Sequence, residues 1–288
     1  MSDTKPLDQI FSESLASLSL PDVYLRLCEV IDSEDASMAD VAEVLQLDPA
    51  LAARVLRIAN SAFYGFSAQI DTVTRAASVL GMQKIHDLTL AASASKALES
   101  LDNPLMDLNT FWYRSVHCGF MAKQIAETAG MAQTESLFVR GLLHDIGHLV
   151  LFAKYPDQCR QALADADQGL EARLSAEQML IGIDGMQLAA ELARIWKLPP
   201  SFIDTFDYLM HPEMALDRQL QREVAMLHIA AQFSSGIDYD MLTEDVINWI
   251  RPEIWEFAGL PRDAGAAAMD ASNLEMVDTM YRILSQTG

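Results

Sequence analysis

The chain has 288 residues, enough for one large domain or two smaller ones and for a core that needs no disulfides. Its 51% hydrophobic and 21% charged residues are typical of a soluble globular protein, and its three dispersed cysteines indicate reduced thiols. The net charge of −21 disfavours nucleic acid and anionic lipid as partners. We see neither a secretory signal nor a run of about 18 apolar residues, so we expect a cytoplasmic protein without membrane contact.

The first hundred residues predict five helices. Each predicted start carries a capping residue or precedes apolar positions three and four apart. The starts lie at Asp22, Ser37, Asp48, Asp71 or Thr72, and about Gln83. Asn60 and Ser61 follow the third helix and form a candidate binding pair, although capping and turn chemistry also account for them.

The remaining residues also show helical periodicity, so the sequence predicts an all-α fold. A polar stretch around Asn103 and Pro104 suggests a boundary between an N-terminal helical subdomain, 1–104, and a second one, 105–235. One central helix is expected from Thr134 to just before Pro156. Residues 236–288 read as an acidic helical extension packed on the body, with a basic partner as the alternative use of its charge.

The segment Gly141–Gly147 places His144 and Asp145 side by side within one of the most apolar parts of the chain. Burying two ionisable groups is costly unless they are paired, hydrogen-bonded or bound to metal. Imidazole and carboxylate are both ordinary ligands of zinc, iron and manganese. The pair is therefore either half of a metal site or a local hydrogen-bonded brace, and His148, one turn later, extends the same groove.

The chain resembles the HDOD family, the HD-related output domains of bacterial signalling proteins within a superfamily of metal-dependent phosphohydrolases. The likeness covers most of residues 15–235, as one continuous unit. It rests on Leu20-Pro21, Asp48-Pro49, Leu56, Ala59-Asn60-Ser61, Leu80-Gly81, Trp112, Ser115, Gly141–Gly147, Glu177, Gly182 and Trp196–Pro199. The resemblance implies an N-terminal helical bundle packed on a degenerate HD-type domain.

The degeneracy follows from comparison with the family's catalytic members. Those relatives carry a histidine just ahead of the serine that matches Ser115, whereas this chain has Arg114. Many have a histidine after an aspartate that matches Asp184, and this chain has Gly185. The closing aspartate should fall near Ala230-Ala231, where neither residue can bind a metal. The resemblance therefore implies a vestigial metal site.

The candidate site residues form two groups. His144 and Asp145 are the vestigial metal ligands, and the cleft around them is the expected pocket. His117 could substitute for a missing ligand because it lies one turn after Arg114. The residues proposed for the pocket are Arg114, His117, His148, His211, Asn60 and Ser61.

These observations favour a non-catalytic regulatory module in signal transduction that binds a signalling protein or a small molecule and needs no cofactor. The alternative is a metal-dependent phosphohydrolase acting on a nucleotide or cyclic dinucleotide. In that alternative His144 and Asp145 would hold a divalent metal and bound water would be the nucleophile. Nucleic-acid binding is a third possibility, disfavoured by the charge.

Overall fold

The computed structural model describes residues 18–33, 35–60, 64, 66, 69–99, 101–132, 134–165, 169–237 and 241–272. These residues contain helices and no strand, so the all-α prediction is confirmed. They divide into two compact units, one of residues 20–99 and the other of residues 18–19 and 101–272. The proposed domain boundaries at residues 104 and 235 stay predictions.

The unit of residues 20–99 contains five helices among its described residues. They are α1 Asp22–Ile31, α2 Met38–Gln46, α3 Pro49–Ala59, α4 Val73–Leu80 and α5 Met82–Leu98. Ser37 and Asp40 form a reciprocal capping box at α2, while Asp48 accepts from the first amides of α3 ahead of Pro49. The cap signals thus placed these helix starts correctly from sequence.

The other unit contains the remaining helices. They are α6 Leu108–Thr128, α7 Thr134–Leu143, α8 Ile146–Lys154, α9 Pro156–Asp165, α10 Leu170–Ile181, α11 Gly185–Ile195, α12 Pro200–Tyr208, the 3₁₀ turn Pro212–Met214, α13 Arg218–Gly236, α14 Thr243–Trp249 and α15 Pro252–Ala258, and residues 264–272 are also helical. Helix α6 packs on α7 and α13, and α8 packs on α11. Residues 241–272, the main described part of the predicted acidic extension 236–288, belong to this same unit.

The predicted single central helix is wrong. The chain breaks into α7 and α8 at His144 and Asp145, where Asp145 has φ −98° and ψ 5°. Consecutive side chains on an unbroken helix point about 100° apart, and the break changes the angle between the side chains of His144 and Asp145. His144 and Asp145 therefore reach different partners.

The stretch Thr134–Lys154 is long and apolar enough to cross a membrane by length and composition, contrary to the expectation from sequence. Most of its apolar window, 89%, is nevertheless buried inside the protein. A core segment passes the same test, and this stretch is two helices that pack on α6 and α11.

Candidate functional site

Asp145 lies at the centre of a buried ionic cluster. It is 2% exposed, at the start of α8. Its Oδ2 accepts a hydrogen bond from Nη2 of Arg114 on α6 at 2.7 Å, and its Oδ1 accepts from Nη2 of Arg173 on α10 at 3.2 Å. Burial acts to raise the pKa of Asp145, but His148, Arg173 and Arg114 hold it well below its usual range. Asp145 is therefore an ionised carboxylate with a cation on each oxygen.

His148 joins Asp145 to a second carboxylate, that of Glu177 on α10. Its Nδ1 bonds Asp145 Oδ1, and its Nε2 lies 3.0 Å from Glu177 Oε2. Burial and Arg173 act to lower the pKa of His148, yet Glu177 and Asp145 outweigh them and raise it. An imidazolium would donate from both nitrogens to these two carboxylates, while Arg173 Nη2, which can only donate, also lies 3.1 Å from Nδ1.

His144 takes no part in this bridge. Its Nδ1 donates to the carbonyl oxygen of Gly141 at 2.6 Å, within the last turn of α7. Burial lowers the pKa of His144 to about 4, partly offset by Asp145 and the bond to Gly141. The adjacent histidine and aspartate of the motif thus have different roles. His144 is a neutral local brace, and Asp145 is the charged centre of the cluster.

Two glycines allow the cluster to close. A Cβ on Gly147 would lie 2.0 Å from the carbonyl oxygen of Gly185, and one on Gly185 would lie 2.3 Å from Nε2 of His148. The amide of Gly185 also donates to Glu177 Oε2 at 2.9 Å. Where the resemblance implied a histidine in other relatives, this chain has the small residue that the ring of His148 requires.

The cluster does not fit a divalent metal ion. Arginine cannot act as a ligand in its charged form, and Arg114 and Arg173 occupy both oxygens of Asp145. Arg114 and Arg173 already balance the charges of Asp145 and Glu177, so a dication would add uncompensated charge. Within the described ranges, no group of three His, Cys, Asp or Glu residues is placed to hold a metal.

The other candidate histidines, His117 and His211, form hydrogen bonds with residues outside the cluster around Asp145. His117 Nδ1 lies 2.8 Å from Ser234 Oγ on α13, and burial lowers the pKa of His117 to about 4. His211 is exposed and bonds Glu213 through Nδ1. The hydrogen-bonded cluster includes His148 and Arg114 but neither of these two residues.

The side chain of Asn60 is hydrogen-bonded to the backbone of its own unit. Ser61 lies outside the described residues. Asn60 Nδ2 donates to the carbonyl oxygens of Leu56 and Ile70, and its Oδ1 accepts from the amide of Ile70 at 2.7 Å. These bonds tie the end of α3 to the chain ahead of α4. The side chain acts here as a turn brace.

A cavity of about 420 Å³ lies in the same unit as the ionic cluster, but the cluster does not line it. Its polar lining includes Glu171, Asp184, Asp207 and His211. Asp184 also caps α11 by accepting from the amides of Met186 and Gln187. We expected a cleft around His144 and Asp145, but both residues are buried. The cavity is lined by other residues of the same unit.

Two members of the cluster were missed as site residues from sequence. Arg173 was not singled out, and Glu177 was noted only as part of the family pattern. Both are almost fully buried on α10, where Leu170, Leu174 and Ile181 are the other buried residues. An Arg–Glu pair four residues apart among apolar positions is the signal that could have indicated them.

Residues 18–212 match the family model described as the HDOD domain. A crystal structure from Shewanella amazonensis, described as a candidate phosphohydrolase, is 26% identical with a TM-score of 0.73, covering 95% of this chain and 99% of that one. An HDOD domain protein of unknown function from Geobacter sulfurreducens is 22% identical with a TM-score of 0.75, covering 94% and 98%. A Treponema pallidum protein without assigned function is 22% identical over 237 residues, 81% of this chain, and this match spans 45% of that relative's length.

Proposed function

Because the chain belongs to the HDOD family, we propose that it is a non-catalytic regulatory module that acts by binding another molecule. The ion pair between Arg114 and Asp145 carries this proposal. It places a guanidinium on the carboxylate that a hydrolytic metal would need. Metal-dependent hydrolysis requires an open metal position with supporting ligands, and the arginines remove both conditions here.

The proposed partner is a signalling protein with a basic surface. The chain's charge of −21 would attract such a partner over long range and repel phosphate backbones. A small ligand would have a place in the 420 Å³ cavity, where the carboxylate of Glu171 favours a cationic group.

A metal-dependent phosphohydrolase is the second candidate. Its support is the description of the similar Shewanella protein and the presence of His144, Asp145, His148 and Glu177 in one region of the unit. It would require Arg114 and Arg173 to leave Asp145, exposing a buried carboxylate. We rank it second for that reason.

The decisive experiment measures metal content and hydrolysis of bis(p-nitrophenyl) phosphate with added Mn²⁺ or Zn²⁺. Wild type is compared with Asp145→Asn, Arg114→His and Arg114→Lys. We expect wild type to retain well below one metal per chain and to show no turnover above Asp145→Asn. Arg114→His should retain more metal than Arg114→Lys, because only the histidine can become a ligand.

Near-stoichiometric metal in wild type, with turnover abolished by Asp145→Asn, would overturn the regulatory proposal. In that case the arginines would have to move on metal binding. A wild-type protein that is folded, metal-free and inactive would support the proposal.

A further inference from the structure

A second polar cluster lies in the unit of residues 20–99. Tyr24 and Cys28 extend from α1, and His86 and Asp87 from α5. His86 Nε2 lies 3.7 Å from Cys28 Sγ and 3.0 Å from the Tyr24 hydroxyl. His86 Nδ1 lies 3.2 Å from Asp87 Oδ1. A thiol, an imidazole and a carboxylate are thus arranged in series.

The carboxylate end of this series is buried and only partly satisfied. Asp87 is 3% exposed, and its Oδ1 also accepts from Gln83 Nε2 at 3.0 Å. Its Oδ2 is buried without a hydrogen-bond partner. A buried carboxylate of this kind favours a positive charge next to it, and the ring of His86 is the adjacent group.

The charge state of His86 agrees with that arrangement. Burial acts to lower the pKa of His86, but its bonds to Asp87 and Cys28 outweigh burial and raise it to about 9. The ring then donates Nδ1–H to Asp87, and its Nε2–H faces both the Tyr24 hydroxyl at 3.0 Å and Cys28 Sγ at 3.7 Å. The ionisable groups facing His86 are Tyr24 and Cys28 from α1 and Asp87 from its own helix.

We propose that Cys28 is a reactive thiol, assisted by His86 and Asp87, that is oxidised by hydrogen peroxide to a sulfenic acid. The Cys28 thiolate attacks one peroxide oxygen, so that the S–O bond forms as the O–O bond breaks. The sulfur loses two electrons, and the departing hydroxide takes the proton from His86 Nε2 and leaves as water. His86 is the catalytic proton donor, and Asp87 is a positioning residue.

The other two cysteines provide an internal comparison. Cys28 is partly exposed, whereas Cys118 and Cys159 are fully buried. Burial raises the pKa of Cys118, and it raises that of Cys159 to about 12. Reactive thiols are partly exposed and lie next to a cation, and Cys28 differs from Cys118 and Cys159 in both respects.

The test treats the full chain with hydrogen peroxide and dimedone, which traps sulfenic acids, and follows each cysteine by peptide mass. Wild type is compared with His86→Gln, Asp87→Asn and the control Ser78→Ala, which removes an exposed hydroxyl of the same unit that has no contact with the cluster. We expect Cys28 alone to be labelled. At pH 7 His86→Gln should slow labelling by about tenfold or more, since it removes the group that protonates the departing hydroxide.

A pH profile separates activation from a structural effect. The rates of wild type and His86→Gln should converge above about pH 9, where His86 loses the proton that it donates, because its pKa is raised to about 9. Asp87→Asn should shift the wild-type profile toward that of His86→Gln, and Ser78→Ala should leave it within about twofold. The proposal is overturned if Cys28 labels no faster than N-acetylcysteine. It is also overturned if His86→Gln, shown to be folded by circular dichroism, equals wild type at pH 7.

Discussion

At the scale of single residues, Arg114 determines what the motif can do. Asp145 would be costly to bury alone, and the guanidinium of Arg114 supplies a compensating positive charge. Arg173 supplies a second positive charge to the other oxygen of the same carboxylate. Asp145 is thus held as an ionised carboxylate by ion pairs within the protein.

Removing Arg114 should destabilise the protein strongly. Arg114→Met leaves Asp145 Oδ2 without its guanidinium, and breaking one partner of a buried pair costs about 3–5 kcal/mol. Urea unfolding measures the loss. Arg194 is the matched control because its pair with Asp207 is largely exposed, so Arg194→Met should cost less than about 1 kcal/mol. Equal losses at the two positions would contradict a buried role for Arg114.

His117 should make stability depend on pH. Burial lowers its pKa from 6.5 to about 4 in the folded protein, so between these values the unfolded chain binds a proton that the folded chain does not. Stability therefore falls as pH falls through this window, by up to about 1.4 kcal/mol per pH unit for each such group. His117→Gln should reduce the slope of unfolding free energy between pH 4.5 and 6.5, whatever its effect on absolute stability.

Ser234→Ala is the control for this measurement. It removes the partner of His117 Nδ1 but keeps the buried histidine, so the slope should stay near that of wild type. An unchanged slope in His117→Gln would show that the ring is already protonated in the folded protein. His144 and His228, whose pKa values burial also lowers to about 4, contribute equally to all three proteins.

The sequence indicated some residues of the buried ionic cluster and missed others. The absence of a histidine at positions 114 and 185 followed from the family resemblance, and the burial of His144 and Asp145 followed from the apolar residues around them. Arg173 was not, because its pairing with Asp145 joins α10 to α8 across 28 positions in the chain. Periodicity and capping describe neighbours in sequence, and a contact of this span depends on tertiary packing.

At the scale of elements, helix starts were predictable and one helix interior was not. Ser37, Asp48 and Thr72 cap their helices as expected, since a cap acts within three residues. The break at His144 and Asp145 has no comparable local signal, because the flanking residues are apolar and favour a continuous helix. The contacts that accompany the break come from α6 and α10.

The close crossing of α8 and α11 should be sensitive to a single methyl group. Gly147→Ala places a Cβ 2.0 Å from the carbonyl oxygen of Gly185, too close for either backbone to remain in place. Overpacking of this kind costs at least about 1–3 kcal/mol. The exposed Lys154, at the end of the same helix, gives the control Lys154→Ala, with an effect within about 0.5 kcal/mol. Urea unfolding compares the two, and equal stabilities would contradict the tight crossing.

At the scale of the whole molecule, the charge of −21 acts against the folded state and bears on the proposed choice of partner. Like charges repel more in a compact chain than in an expanded one, while the same field keeps phosphate backbones away. The unit of residues 20–99 also has a local excess of negative charge. Glu29, Asp35, Asp40 and Glu43 line one surface pocket of α1 and α2.

Salt should therefore stabilise the protein. Raising NaCl from about 0.01 M to about 0.15 M shortens the Debye length from about 30 Å to about 8 Å and screens this repulsion. A gain of about 1 kcal/mol corresponds to a rise of roughly 2–4 °C in Tm for a chain of this size. Glu43→Lys reduces the net charge from −21 to −19 and should show a higher Tm at low salt with a smaller response. A Tm that falls with salt would mean that attractive ion pairs outweigh repulsion across the surface, and the field invoked for partner selection would then be too weak to act at range.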